Sequence, residues 1–372
     1  MSDSQLRGLG LRNRRTPQRL RRLVVALALT AGLAQAESRQ LEPLAFEGNP
    51  GRLGAHVYVP AHPAERPALV VALHGCGQQA SDFDDETGWT ALAEQAGFIL
   101  LLPEQSPSNN PTRCFNWFQP VDSRRNRGEP ESIRHMVETL LARYPIDRSR
   151  LFVTGLSAGG GMTSVMLATH PDLFAGGAVL SGVPYQCAAN AFQAVPCMQW
   201  GNRLVSSPQV WADKVRRAAP PGTSRWPLVA IWHDTGDRVV NPFNAASSME
   251  QWTAVHGIDQ VPEIDEWVGP HHRRAYADSE GRNLVELWIT ARVGHATPID
   301  EETGCGHDDP TRRDDFVTDA DICATRRIAR FWGADRLATA TRTKVPGASA
   351  RARPKPARRA MRDRRVIQGR NG

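Results

Sequence analysis

Leu151-Phe152-Val153-Thr154-Gly155-Leu156-Ser157-Ala158-Gly159 is the stretch whose reading decides the fold. It opens with a short apolar run, LFVT, of the kind a strand shows when helices cover both of its faces. Gly-x-Ser-x-Gly follows at once, and a segment that reads as a helix begins near Gly161. Glycines two residues either side of a serine let the chain turn from strand into helix without a Cβ clash, so that the hydroxyl projects above the sheet. The first free N–H groups of the helix then face any negative charge that develops there. A glycine-rich turn without chemistry is the plain alternative, but the placement between strand and helix favours Ser157 as a nucleophile and the Ala158 N–H as an oxyanion donor.

Outward from this stretch the same pattern recurs. Ala68 to Leu73, Phe98 to Leu102, Gly177 to Leu180 and Leu228 to Trp232 are further short apolar runs separated by helical lengths of chain. Trp89 to Ala96, Glu131 to Tyr144 with Pro130 at its start, and Asn244 to His256 read as helices. Strand and helix in alternation predict an α/β architecture: a doubly wound, mostly parallel sheet with helices on both faces. Gly54 to Pro60 alternates and ends in proline, which predicts an edge strand. Leu284 to Thr290 reads as the final strand, and the last helix ends near Trp332.

A serine hydroxyl is a poor nucleophile without a base, so Ser157 requires a histidine and a carboxylate later in the chain. After the run ending at Trp232 comes His233-Asp234-Thr235-Gly236-Asp237, an acidic loop at the carboxyl end of a strand. Asp237 is the favoured orienting acid and Asp234 its rival; both could be solvated turn residues. Beyond the final strand lies Gly294-His295-Ala296, a glycine-flanked histidine on a loop, which makes His295 the expected general base. Upstream, Leu73-His74-Gly75-Cys76-Gly77-Gln78 ends a strand with small residues and offers the Cys76 N–H as a second oxyanion donor.

The net charge of +6 sits at the two ends. Residues 1–36 carry +6 and residues 338–372 carry +10, which leaves −10 on the body between them. An acidic body argues against specific nucleic-acid binding, which needs a basic face. Six arginines from Arg12 to Arg22 precede an apolar run, Leu23 to Leu33, and then Ala34-Gln35-Ala36. This predicts a signal peptide cleaved after Ala36 and a secreted or periplasmic protein, since the run is too short for a transmembrane anchor. Residues 37–337 then form the catalytic domain, and the Arg-, Ala- and Pro-rich residues 338–372 a basic, disordered tail.

Six cysteines form an even set able to pair after export. Spacing favours Cys187 with Cys197 and Cys305 with Cys323, leaving Cys76 and Cys114, one scheme among the many that six cysteines permit. No cysteine or histidine cluster has zinc spacing, so no metal or cofactor is expected. Of ten tryptophans, Trp117 and Trp200 lie in loops near cysteines and are the candidates for substrate contact.

Taken in order, LHGCGQ (73–78), RCFNWF (113–118), GLSAGG (155–160), HDTGDRVV (233–240) and GHATP (294–298) resemble the polyhydroxybutyrate depolymerase family of esterases. The resemblance spans residues 53–332 and implies an α/β-hydrolase fold. It also implies Ser157, Asp237 and His295 as the catalytic residues, Cys76 as an oxyanion donor and a Cys76–Cys114 disulfide. The ester substrate it implies is a hydroxyalkanoate oligomer, with feruloyl or acetylxylan ester cleavage as the alternative. An exported binding protein that keeps the fold without catalysis is the reading from another class. Asp234 stands where the family commonly has glycine, so the choice between the two aspartates stays open. No linker to a second folded module follows, which favours short or soluble esters over crystalline polyester.

Overall fold

A computed structural model describes residues 41–200, 207–306 and 315–335 of the chain. The expected signal segment and its cleavage point, and the basic tail, lie outside these residues. Ten strands form one sheet. In spatial order they are β1 (Glu42–Pro43), β2 (Gly54–Tyr58), β4 (Ile99–Glu104), β3 (Leu69–Leu73), β5 (Leu151–Leu156), β6 (Gly176–Leu180), β7 (Leu228–Asp234), β10 (Asn283–Thr290), β9 (His271–Ala277) and β8 (Ile264–Val268). From β4 to β10 every neighbouring pair is parallel, and the pairs at both ends are antiparallel. The Gly54 strand is therefore not the edge: β1 pairs outside it. Its alternation reflects pairing near a sheet margin.

Among the described residues eight helices accompany the sheet: α1 (Ala80–Glu86), α2 (Trp89–Ala96), α3 (Gly128–Arg143), α4 (Ala158–Thr169), α5 (Ala191–Trp200), α6 (Pro208–Ala218), α7 (Phe243–His256) and α8 (Ala324–Trp332). Successive strand side chains point to opposite faces, and the core divides accordingly. Leu69, Val71, Leu151, Val153, Val229 and Ile231 pack with Ile133, Met162, Val215 and Trp252 of α3, α4, α6 and α7. Val70, Ala72, Leu100, Phe152 and Trp232 pack on the other face with Phe83, Trp89 and Ile328 of α1, α2 and α8. The central strands are apolar all round because both faces are covered.

Stacked rings tie the second layer down. Trp332 of α8 lies parallel to Phe152 of β5, centroids 4.9 Å apart, and stacks on Trp89 of α2 at 6.1 Å. Trp232 and Trp288 stack at 4.7 Å across β7 and β10. A short parallel pair, β11 (Thr297–Ile299) and β12 (Val317–Asp319), lies beyond β10. Among the described residues no helix is long and apolar enough to cross a membrane. Trp332→Ala should lower stability by about 3–5 kcal/mol through the cavity it leaves. Urea unfolding should show a lower midpoint with little change in slope.

Candidate active site

Parallel register carries the three expected catalytic residues to one edge of the sheet. Leu156 pairs with Leu180, Leu180 with Trp232 and Trp232 with Trp288. The carboxyl ends of β5, β7 and β10 therefore lie side by side, and Ser157, Asp237 and His295 follow those three strands. Open parallel sheets place their sites at this edge.

Ser157 joins β5 to α4 with φ 57° and ψ −116°, a conformation that is strained for any residue with a Cβ. Its N–H donates to Leu180 O at 2.9 Å, and its carbonyl accepts from Gly161 N at 2.9 Å. The flanking glycines are required by contact. A Cβ on Gly155 would come within 2.5 Å of the Gly159 backbone, and one on Gly159 within 2.2 Å of Leu73 O.

The two aspartates of the β7 loop take different roles. Asp237, its side chain fully buried, accepts at Oδ2 from His295 Nδ1 at 2.8 Å, and His233 Nε2 stands 3.3 Å from the same oxygen. Its Oδ1 accepts from the N–H groups of Val239 and Val240, each at 2.9 Å. Burial by itself would raise the Asp237 pKa, but the hydrogen bonds and positive charge offered by His233 and His295 outweigh it and hold the carboxyl well below the usual range. Because an ionised carboxylate only accepts, His295 carries a proton on Nδ1. Asp234 instead accepts from Gly236 N at 2.7 Å and from Val293 N at 3.0 Å. It braces the His295 loop and does not touch the ring.

No direct hydrogen bond joins the Ser157 hydroxyl to His295 among the described residues. Such contacts are often long without substrate and tighten when it binds.

The HGCG loop after β3 is pinned from several sides. His74 is buried; its Nδ1 donates to Gly75 O at 2.7 Å, and its Nε2 accepts from Gln105 N at 3.0 Å. Burial lowers its pKa, so the neutral ring that satisfies both bonds is the stable form. Gly75 N donates to Gln78 Oε1, and Gly77 N to Thr112 O. The Cys76–Cys114 disulfide ties this loop to the segment bearing Asn116, Trp117 and Phe118. Neither the Cys76 N–H nor the Ala158 N–H donates to a protein acceptor among the described residues.

Cys187–Cys197 and Cys305–Cys323 complete three disulfides, the scheme that spacing favours, and bonds of this kind belong to an oxidising compartment. Trp117, expected at the cleft, is only 7% exposed and lies against Gly161 of α4, where it packs as core. Trp200 is 57% exposed at the end of α5. Among the described residues no cluster of His, Cys, Asp or Glu could hold a metal ion.

Residues 53–263 match the family described as Esterase PHB depolymerase. This chain belongs to that family. This PHB depolymerase family esterase is similar to poly(3-hydroxyalkanoate) depolymerase C of Paucimonas lemoignei, 40% identical over 77% of this chain and 68% of that one. Feruloyl esterase B of Neurospora crassa is 34% identical over 76% of this chain and 96% of its own. Among solved structures, an acetyl xylan esterase from Aspergillus awamori superposes with a TM-score of 0.64 at 29% identity, covering 71% of this chain and 97% of that one. The protein is thus a carboxylic ester hydrolase of the α/β-hydrolase type.

Sequence reading missed His233, Gln105 and Glu129, which support the named residues from behind. Only His233 carried a signal, by its place in the acid loop. Replacing Asp234 by Ala should cost about 1–3 kcal/mol for each N–H left without an acceptor, read as a lower melting temperature.

Proposed function

We propose that this esterase works through an acyl-enzyme at Ser157, with His295 as general base, Asp237 as its orienting acid, and the Cys76 and Ala158 N–H groups as oxyanion donors. The observation that carries the reading is the His295–Asp237 bond, formed at the same sheet edge as the strained Ser157 turn. Ser157 Oγ attacks the ester carbonyl while His295 Nε2 takes its proton. The two N–H groups hold the oxyanion, and the alcohol leaves with the proton returned by His295. Water, activated by the same imidazole, then releases the acid and restores the serine.

Hydroxyalkanoate oligomers are the proposed substrate class. Support comes from the depolymerase relative and from apolar surface beside the acid loop. Phe192, Val195 and Trp200 of α5 are exposed, as are Val239 of the loop and Phe243 at the start of α7. Asn241 N donates to Met198 O at 2.7 Å and Gln199 Nε2 to Val239 O at 3.0 Å, which fixes α5 against that loop. An apolar polyester chain gains from such a surface. Feruloyl or acetylxylan ester cleavage is the second reading, favoured by the relatives that bear those names and by the solved acetyl xylan esterase. Parallel assays on 3-hydroxybutyrate oligomers, feruloyl esters and acetyl esters separate the two; turnover of the aromatic or acetyl ester alone would defeat the first. Export by the leader of residues 1–36, a catalytic domain over 37–337 and a solvated basic tail complete the proposal.

An organophosphonate should label the parent protein at one site and leave Ser157→Ala unlabelled; labelling that persists in the variant would remove Ser157 from the mechanism. A parent that takes no label would instead favour the non-catalytic binding protein. Asp237→Asn should lower kcat by roughly 10³-fold or more, because its amide no longer fixes the productive tautomer of His295. Steady-state kinetics on a soluble short-chain ester measure this, and a loss under about 10-fold would point away from Asp237.

A further inference from the structure

Glu129 lies in the first turn of α3 with no exposed surface. No ion pair reaches it among the described residues, and a buried carboxylate without a counter-ion is costly. Four N–H donors from one loop surround it. Its Oε1 accepts from Gln105 Nε2 at 2.6 Å, Asn116 Nδ2 at 2.7 Å and Asn109 Nδ2 at 3.3 Å, and its Oε2 accepts from Asn116 N at 2.8 Å. The loop it gathers runs straight to the HGCG segment. Gln105 Nε2 also donates to Cys114 O at 3.0 Å, Gln105 N donates to His74 Nε2, and Cys114 is bonded to Cys76.

We propose that Glu129 is a positioning residue for ester hydrolysis: its carboxylate gathers the 105–116 loop and, through Cys114–Cys76 and Gln105–His74, holds the Cys76 N–H where the oxyanion forms. The proposal rests on the reading of Cys76 as an oxyanion donor. A carboxylate suits the task because two oxygens can accept all four donors, whereas a glutamine would bring an NH2 group that faces other donors.

The ionisation of this group gives the clamp a pH signature. Burial, and then the charge of Asp122, push the Glu129 pKa up to about 8 against the pull of its donors, from an ordinary 4.5. Asp122 Oδ1 accepts from Glu129 N at 2.9 Å, and Arg52, bonded to Asn109 Oδ1, is the nearby cation. His74, reached through Gln105, stays neutral. Between these two pH values the folded chain holds a proton that the unfolded chain has released, so stability falls as pH rises through the window. The clamp works in the opposite sense. A protonated carboxyl meets only donors, so the loop is held best once Glu129 ionises.

The test compares the parent enzyme with Glu129→Gln on a soluble short-chain ester across pH 5 to 10. Expected are a kcat about 10- to 100-fold lower at pH 9 with KM changed less than about 3-fold, a fraction of what loss of a whole oxyanion donor costs. The parent's rise in kcat near pH 8, and its decline in melting temperature between about pH 4.5 and 8, should both vanish in the variant. A folded Glu129→Gln with kcat within about 2-fold of the parent and an unchanged pH profile overturns the proposal. If that variant fails to fold, Gln105→Ala reads the same link, with the same expected loss and the same overturning result. In a protein carrying both Cys76→Ser and Cys114→Ser, the further loss caused by Glu129→Gln should be smaller than in the parent, since one of the two links is cut and only Gln105–His74 remains; full additivity would mean that Glu129 acts elsewhere. A parent without Ser157-dependent turnover overturns the esterase site as a whole, whereas normal parent turnover with an unaffected Glu129→Gln overturns this proposal alone.

Discussion

One residue must carry the chain out of a buried strand and into a buried helix, and the rest of the site is arranged around that turn. Ser157 holds φ 57° there, at a cost of about 1–3 kcal/mol for a residue with a Cβ. The turn closes only because Gly159 lets α4 approach the end of β3 and Gly155 lets β5 approach α4. Close approach has a second effect. It brings the first N–H of α4 toward the loop that leaves β3, so the proposed nucleophile and both proposed oxyanion donors share one small volume of backbone.

That volume is stiffened by groups that do no chemistry. His74 spans from its own loop to the end of β4, the Cys76–Cys114 disulfide closes the other side, and Glu129 binds the far loop from beneath. On the opposite flank Asp237 accepts four hydrogen bonds or near contacts, and Asp234 holds the backbone from which His295 projects. Preorganised donors are worth most where they need not move during the reaction. The supporting residues are accordingly buried polar groups whose hydrogen bonds are made within the protein.

The periphery follows other rules. The β8–β9 hairpin mixes apolar and charged residues and is tied to the sheet in part by charge pairing: Arg273 lies between Glu266 of β8 and Glu286 of β10, and its guanidinium rests over Trp288. Helix α5, closed by Cys187–Cys197, turns apolar side chains outward next to the acid loop.

How much was legible beforehand differs from residue to residue. The strands β3 to β7, helix α2 from Trp89 to Ala96 and the Ser157 turn could be read from the chain, because an apolar run covered on both faces and a serine between paired glycines each satisfy a local requirement. The β8–β9 hairpin could not, since its apolar and charged residues form no continuous apolar run and its pairing is set by β10. Asp234 and Asp237 lie three residues apart in one loop, and only the folded turn aims one at the His295 ring and the other at its backbone. Trp117 looked like a cleft wall and became core because α4 offers Gly161 beneath it. Glu129 carried no signal in the sequence, because its burial depends on a loop that arrives from another part of the chain. The sequence by itself determined where the chain could turn and which faces had to be covered, because those are demands of neighbouring residues. Which carboxylate meets which donor was decided by tertiary structure alone, because burial and hydrogen-bond partners exist only once distant segments are packed together.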